Sequence, residues 1–202
     1  MNNITNKLEQ LVADNNVVAV IDFDYTITTK NSNSSIGVFT NYLSKKYQEK
    51  KKRLDNMTNR FKNRLIYKFI WNSKIRLLKK YNAKEVLNDI DYKNEFKINN
   101  DIIKLIKMIE KSNNKIIIYS SGLKEIIEKV LESYNIKYDN IKILANSFNS
   151  KGNSIITPYK KKLNIENSTI LIGDNDNDLN VINSNYLIKV VEDKPIIIKW
   201  WC

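Results

Sequence analysis

Three short runs of apolar residues each end in a polar or acidic cluster, and this pattern constrains the fold more than any other feature. The runs are VVAVI at 17–21 before DFDYT, IIIY at 116–119 before SSG, and TILIG at 169–173 before DNDND. Continuous apolar runs of this length are typical of strands that are buried on both faces of a parallel sheet. Weaker candidate strands lie at 143–145, 154–157 and 187–191.

Amphipathic helices are predicted between these strands. Ile102, Ile103, Ile106 and Ile109 would share one helix face, and the segment from Ile126 to Tyr134 repeats the spacing. Strands that alternate with helices imply right-handed βαβ units. The expected fold class is therefore α/β, with a doubly wound parallel sheet in a Rossmann-like core.

Residues 37–95 interrupt this alternation with a series of helical periods and no strand signal. The segment from Lys30 to Glu95 also carries a net charge of +11, out of +12 for the whole chain. Both features predict a small all-helical insertion after the first strand. We expect this insertion at 30–95, and an α/β core at 1–29 and 96–202.

The composition excludes several classes of site. The chain has no histidine, and its single cysteine is Cys202, which excludes a disulfide scaffold and a Cys-cluster zinc site. No stretch approaches the roughly 20 apolar residues of a membrane span, and the first residues lack the pattern of a signal peptide. We therefore expect a cytoplasmic protein with no membrane contact. No obligate protein partner is evident.

The polar residues that follow the apolar runs have a coherent chemistry. Ligands of open α/β sheets bind beyond the carboxyl ends of the strands, so these residues are expected to converge there. They are Asp22, Asp24, Ser120, Asp174 and Asp178. Four carboxylates in one place would repel one another, and Mg²⁺, which prefers carboxylate oxygens, would relieve this repulsion. A carboxylate can also attack phosphorus as a nucleophile.

These clusters resemble, in order and spacing, the four motifs of the haloacid dehalogenase superfamily of phosphohydrolases. DFDYT matches the DxDxT signature, IIIYSSG is similar to the second motif, TPYKK to the third, and LIGDNDND to the GDxxxD of the fourth. All four motifs in order, each after the expected strand, are a much more specific signal than DxDxT alone. The match covers both ends of the chain.

The resemblance implies a role for each motif residue. Asp22 would be the nucleophile and a metal ligand, and Asp24 would bind the metal through its backbone carbonyl and serve as general acid and then base. Ser120, Ser121, Gly122 and Lys160 would bind the substrate phosphate, and Asp174 and Asp178 would complete a Mg²⁺ site. Lys161 is a rival to Lys160, because both lie in a KKK run. Asp176 competes with Asp178, although the GDxxxD spacing favours Asp178.

The resemblance also implies an enzyme that hydrolyses phosphate monoesters, since dehalogenases and phosphonatases of the superfamily lack the second aspartate. The helical insertion at 30–95 resembles the helical caps of pyrimidine 5′-nucleotidases and phosphoserine phosphatases, more closely the former. The resemblance therefore implies a helical cap at 30–95 and an α/β catalytic core at 1–29 and 96–202. The expected activity is Mg²⁺-dependent hydrolysis of a small phosphorylated metabolite such as a pyrimidine nucleoside monophosphate, through an aspartyl-phosphate.

Two alternatives stay open. One is a phosphatase similar to phosphoserine phosphatases that acts on another small ester. The other is a basic nucleic-acid-binding protein that uses the charged segment at 30–95 as its contact surface. Binding to nucleic acid would not require the catalytic motifs, so this second alternative is the less favoured one.

Overall fold

A computed structural model describes residues 2–13, 17–46, 83–148, 155–156, 163, 165, 168–175 and 184–200. The strands are β1 (Val17–Ile21), β2 (Lys115–Leu123), β3 (Ile141–Phe148), β4 (Ile155–Ile156), β5 (Ser168–Gly173), β6 (Tyr186–Val191) and β7 (Lys194–Trp200). The helices are α1 (Asn2–Ala13), α2 (Ser35–Lys46), α3 (Tyr92–Glu95), α4 (Asn100–Lys111) and α5 (Lys124–Ser133), and a 3₁₀ turn covers Ala83–Asp89. In the part of the chain described here, no helix is long and apolar enough to cross a membrane.

The strands form one sheet in the order β4-β3-β2-β1-β5-β6-β7. The five central strands pair in parallel, while β4 and β7 pair antiparallel at the two edges. The predicted α/β fold with its parallel sheet is confirmed. The sheet is nevertheless mixed, because both edge strands run against their neighbours. β7 has no counterpart among the predicted strands.

Strands β1 and β5 are buried on both faces, as their apolar sequences predict. All five residues of β1 are buried. Ala19 and Ile21 face a core that contains the buried stripes of α4 and α5. Val18 and Val20 lie on the opposite face, with Leu163 packed against them. Burial on both faces removes most of the apolar surface of each strand from water, and this stabilises the sheet interior.

The sheet changes its winding direction at β1. The chain proceeds from β1 to β2 and β3 on one side, whereas β5 and β6 extend the sheet on the other side. In open α/β sheets, ligands bind at such a point, beyond the carboxyl ends of the strands. This position between β1 and β5 is the topological switch point of the fold.

The two chain segments that join the predicted cap to the core lie side by side. Thr28 forms an antiparallel bridge with Ile98. On either side of this bridge, Thr29 N–H donates to the Lys97 carbonyl at 2.8 Å and Asn99 N–H donates to the Ile27 carbonyl at 2.9 Å. The predicted boundaries at 29/30 and 95/96 fall close to this pairing. The cap itself stays a prediction, because residues 47–82 lie outside the described part.

Helix α2 opens the predicted cap and packs directly on the core. The sequence predicts a helix from the spacing of Val38, Phe39 and Leu43, and these side chains are buried in the main core cluster. The ring of Phe39 meets Phe148 at the end of β3 edge to face, with centroids 5.5 Å apart. This contact places the start of α2 near the carboxyl ends of the central strands.

Candidate active site

Asp22 is the first residue after β1 and lies at the switch point. Its backbone N–H donates to the carbonyl of Ile172 in β5 at 2.9 Å, so the residue continues the parallel ladder. Only 8% of Asp22 is exposed. The carboxylate is thus carried by rigid backbone at the carboxyl edge of the sheet.

The chain after Asp22 folds into one wide turn over Phe23–Ile27. Thr28 N–H closes the turn on the Phe23 carbonyl at 3.1 Å. Tyr25 has φ of 64° in the left-handed region, which costs about 1–2 kcal/mol for a residue with a side chain. The Thr28 hydroxyl offsets part of this cost, because it accepts from Tyr25 N–H at 3.0 Å. The turn bends the chain after Asp22 and carries the Asp24 side chain to the start of α2.

The carboxylate of Asp24 lies at the N-terminus of α2. Ser35, the first residue of that helix, donates its N–H to Oδ1 of Asp24 at 2.8 Å and its hydroxyl to Oδ2 at 2.9 Å. The first N–H groups of a helix have no partner within the helix, and the helix dipole favours negative charge at that end. Sequence reasoning missed Ser35, because one serine in the polar run NSNSS carries no distinguishing signal.

The second motif lies at the end of β2, where the pairing with β3 shifts register between Tyr119 and Leu123. Ser120 is buried, and its hydroxyl accepts from Gly122 N–H at 2.9 Å. A Cβ atom at Gly122 would lie 2.2 Å from Ser35 Oγ, 3.1 Å from Ser120 Oγ and 3.3 Å from Asp24 Oδ2. Three oxygen atoms from three separate segments therefore meet around Gly122.

Asn146 supports this irregular end of β2 from the neighbouring strand. The side chain is buried in β3, and its amide donates to the backbone carbonyl of Ser121. The contact fixes the carbonyl where the ladder between the two strands is interrupted. Ser121 itself is exposed, which leaves it at the surface of the carboxyl edge.

Asp174 follows β5 directly and so lies on the strand next to Asp22. It is half-buried, and its Oδ1 accepts from the Asn175 side chain at 3.0 Å. Among the described residues, no three Asp, Glu, His or Cys side chains are close enough to hold a metal ion together.

The other predicted residues lie outside the described part of the chain; they are Lys160, its rival Lys161, Asp178 and its competitor Asp176.

Gly122→Ala is expected to reduce both activity and stability, because the new methyl group would overlap the Ser35 hydroxyl. Overpacking a buried site costs about 1–3 kcal/mol of unfolding free energy. Urea unfolding and steady-state kinetics measure the two effects. Gly37→Ala is the matched control. Its Cβ would approach the Ser34 hydroxyl at 2.9 Å, but residue 37 lies inside α2, where alanine stabilises the helix relative to glycine. Wild-type activity and stability in Gly122→Ala would contradict the described packing.

Comparison with known proteins identifies one matching family. The sequence matches the profile of the family described as pyrimidine 5′-nucleotidase (UMPH-1) over residues 23–200. No curated protein sequence matches the chain.

Two solved structures resemble the fold. Cytosolic 5′-nucleotidase IIIB, solved bound to cytidine, superposes with a TM-score of 0.61 and 16% identity over 88% of this chain and 72% of that one. A phosphoserine phosphohydrolase-like protein from Francisella tularensis subsp. tularensis SCHU S4 gives a TM-score of 0.53 and 21% identity, with 88% of each chain covered. At these identities the likeness concerns the fold alone.

Proposed function

Because the chain belongs to the pyrimidine 5′-nucleotidase (UMPH-1) family, we propose that it hydrolyses a pyrimidine nucleoside monophosphate to the nucleoside and inorganic phosphate. Membership makes the chain a phosphatase of the haloacid dehalogenase superfamily that acts on a small phosphorylated substrate. The preference for a pyrimidine nucleotide over phosphoserine or another small ester is the proposed part.

The observation that supports the proposal is the position of Asp24 Oδ2 and Ser120 Oγ around Gly122, on the strand next to the one that Asp22 follows. Asp22 extends β1, the turn over Phe23–Ile27 leads to Asp24, and Ser120 in the last part of β2 lies, like Asp24, against Gly122. A buried nucleophile, a second carboxylate for proton transfer and a hydroxyl donor are the groups that transfer of a phosphoryl group to a carboxylate requires.

The proposed reaction has two steps, transfer of the phosphoryl group to Asp22 and its hydrolysis by water. In the first, an Asp22 carboxylate oxygen bonds to phosphorus, the ester P–O bond breaks, and Asp24 gives a proton to the leaving oxygen. In the second, a water oxygen bonds to phosphorus, the bond between phosphorus and Asp22 breaks, and the water proton passes to Asp24. Ser120 would donate a hydrogen bond to a phosphoryl oxygen, and Lys160 would offset phosphate charge.

The residues at the carboxyl edge suit a magnesium ion. The groups proposed to hold it are the carboxylates of Asp22, Asp174 and Asp178 and the backbone carbonyl of Asp24. All are oxygen donors, which Mg²⁺ prefers, and Asp22 and Asp174 follow adjacent strands. When bound, Mg²⁺ would offset the negative charge of Asp22 and of the substrate phosphate. A reducing cytoplasm is the proposed location, on the ground of the single cysteine.

Phosphate release from a panel of esters tests the proposed function. The panel contains UMP, CMP, AMP and phosphoserine, each assayed with Mg²⁺ and again after treatment with EDTA. We expect the highest kcat/KM with UMP or CMP, and loss of activity in EDTA. A preference for phosphoserine would shift the assignment to that substrate class. Salt-dependent binding of RNA or DNA without hydrolysis of any ester would favour the nucleic-acid alternative instead.

A further inference from the structure

We propose that Ser35 is a positioning residue that orients Asp24 for its two proton transfers. The proposal rests on the proposed function, because it gives Asp24 the role of general acid and base. Ser35 belongs to none of the four motifs, and it lies at the first turn of α2, the helix that opens the predicted cap.

Ser35 holds both oxygen atoms of the Asp24 carboxylate. Its N–H donates to Oδ1 at 2.8 Å and its hydroxyl donates to Oδ2 at 2.9 Å. Two hydrogen bonds from one residue prevent rotation of the carboxylate about its last side-chain bond. Ser35 is fully buried, so water cannot readily replace either bond if the hydroxyl is removed.

The packing around Gly122 keeps the Ser35 hydroxyl in this place. The hydroxyl lies where a side chain of residue 122 would begin, since a Cβ there would be only 2.2 Å away. The same Cβ position is 3.3 Å from Asp24 Oδ2 and 3.1 Å from Ser120 Oγ. Oδ2 is therefore the Asp24 oxygen on the side of the second motif, where the phosphoryl group is proposed to bind.

The two donors of Ser35 differ in a way that suits an acid–base group. A backbone N–H can only donate, so Oδ1 stays an acceptor whether or not Asp24 carries a proton. A hydroxyl can donate or accept, so it accommodates both the ionised and the protonated form of Oδ2. Ser35 can therefore hold the Asp24 carboxyl in one orientation throughout a proton transfer.

The test uses two esters that differ in their need for a proton on the leaving oxygen. UMP releases an alkoxide that requires protonation, whereas p-nitrophenyl phosphate releases a stable phenolate that does not. The value of kcat/KM depends only on the steps up to the first irreversible one, which here is cleavage of the ester. The ratio of kcat/KM for UMP to kcat/KM for p-nitrophenyl phosphate therefore measures acid catalysis in that cleavage. Ser35→Ala should lower kcat/KM for UMP by about tenfold or more and change it for p-nitrophenyl phosphate by less than about threefold.

Matched variants separate positioning from a general structural effect. Ser34→Ala removes the neighbouring hydroxyl, which accepts from Gly37 N–H at 3.2 Å at the N-terminus of α2. It should lower the melting temperature yet keep the wild-type ratio of the two kcat/KM values. Asp24→Asn should show the same selective loss as Ser35→Ala, and adding Ser35→Ala to Asp24→Asn should cost little more, because both act through one carboxylate.

The outcomes distinguish this proposal from the proposed function. The positioning role alone would be overturned if the wild type is active and Ser35→Ala and Ser34→Ala give the same ratio of kcat/KM for UMP to kcat/KM for p-nitrophenyl phosphate. Fully additive losses of kcat/KM in the Ser35→Ala, Asp24→Asn double variant would overturn it as well. A wild type that cleaves neither ester would overturn the proposed function, and the positioning role with it. If Ser35→Ala does not fold, Ser35→Cys keeps a similar volume with a weak donor, and an intermediate ratio is then expected.

Discussion

Asp22→Asn is expected to abolish turnover while the protein stays folded. The amide keeps the shape of the side chain, but it is a poor nucleophile and offers only one oxygen. Loss of a covalent nucleophile commonly lowers kcat by more than about 10⁴-fold. Removal of one negative charge from the carboxyl edge also reduces repulsion among the carboxylates, so the melting temperature should not fall.

The measurement combines phosphate release from UMP with intact-protein mass spectrometry of acid-quenched samples. Wild-type protein should carry a covalent phosphoryl group during turnover, and Asp22→Asn should carry none. Asp139→Asn is the matched control, because it makes the same chemical change at an exposed residue between α5 and β3. Turnover of Asp22→Asn near the wild-type rate would exclude the covalent mechanism.

Asp174→Ala is expected to give the second largest loss of activity. Added magnesium should restore part of this activity. Asp174 follows β5, and Asp22 follows the neighbouring strand β1. Asp174 supplies one of the few oxygen ligands proposed for Mg²⁺. Loss of groups that merely support a metal ligand costs about 10–100-fold in affinity, so loss of a ligand should cost at least as much.

Initial rates across a magnesium titration measure this effect for the wild type and the variant. The half-saturating Mg²⁺ concentration should rise at least about tenfold in Asp174→Ala, with part of the lost rate restored at high concentration. Asp139→Asn again serves as the control and should leave the titration unchanged. Full wild-type activity in EDTA, with the metal verified absent, would contradict a metal-dependent reaction.

The strands that carry the site were predictable because a short run of apolar residues in the sequence is enough to indicate a buried strand. β1, β2 and β5 each contain a short apolar run, and the polar residue that follows the run lies at or near the carboxyl end of the strand. The general rule for open α/β sheets then brings Asp22, Ser120 and Asp174 to one edge without any knowledge of distances.

The antiparallel edge strand β7 shows where local patterns fail. Its sequence KPIIIKW contains Pro195, which argues against a central strand. In the structure β7 lies at the sheet edge, where Ile196 and Ile198 are 45% and 55% exposed. A proline and exposed apolar side chains are both tolerated at an edge, but only the pairing with β6 decides that this segment is a strand.

The sequence by itself determined the α/β class, the order of the four motifs and the residues proposed to carry the chemistry, because each depends on residue types and on short-range spacing. Tertiary structure alone decided which atoms meet. The left-handed backbone of Tyr25 turns Asp24 back, the first turn of α2 brings Ser35 onto its carboxylate, and the missing side chain of Gly122 leaves room for both. Gly122 is far along the chain from Asp24 and Ser35, so the three residues come together only when β2 and α2 pack against each other.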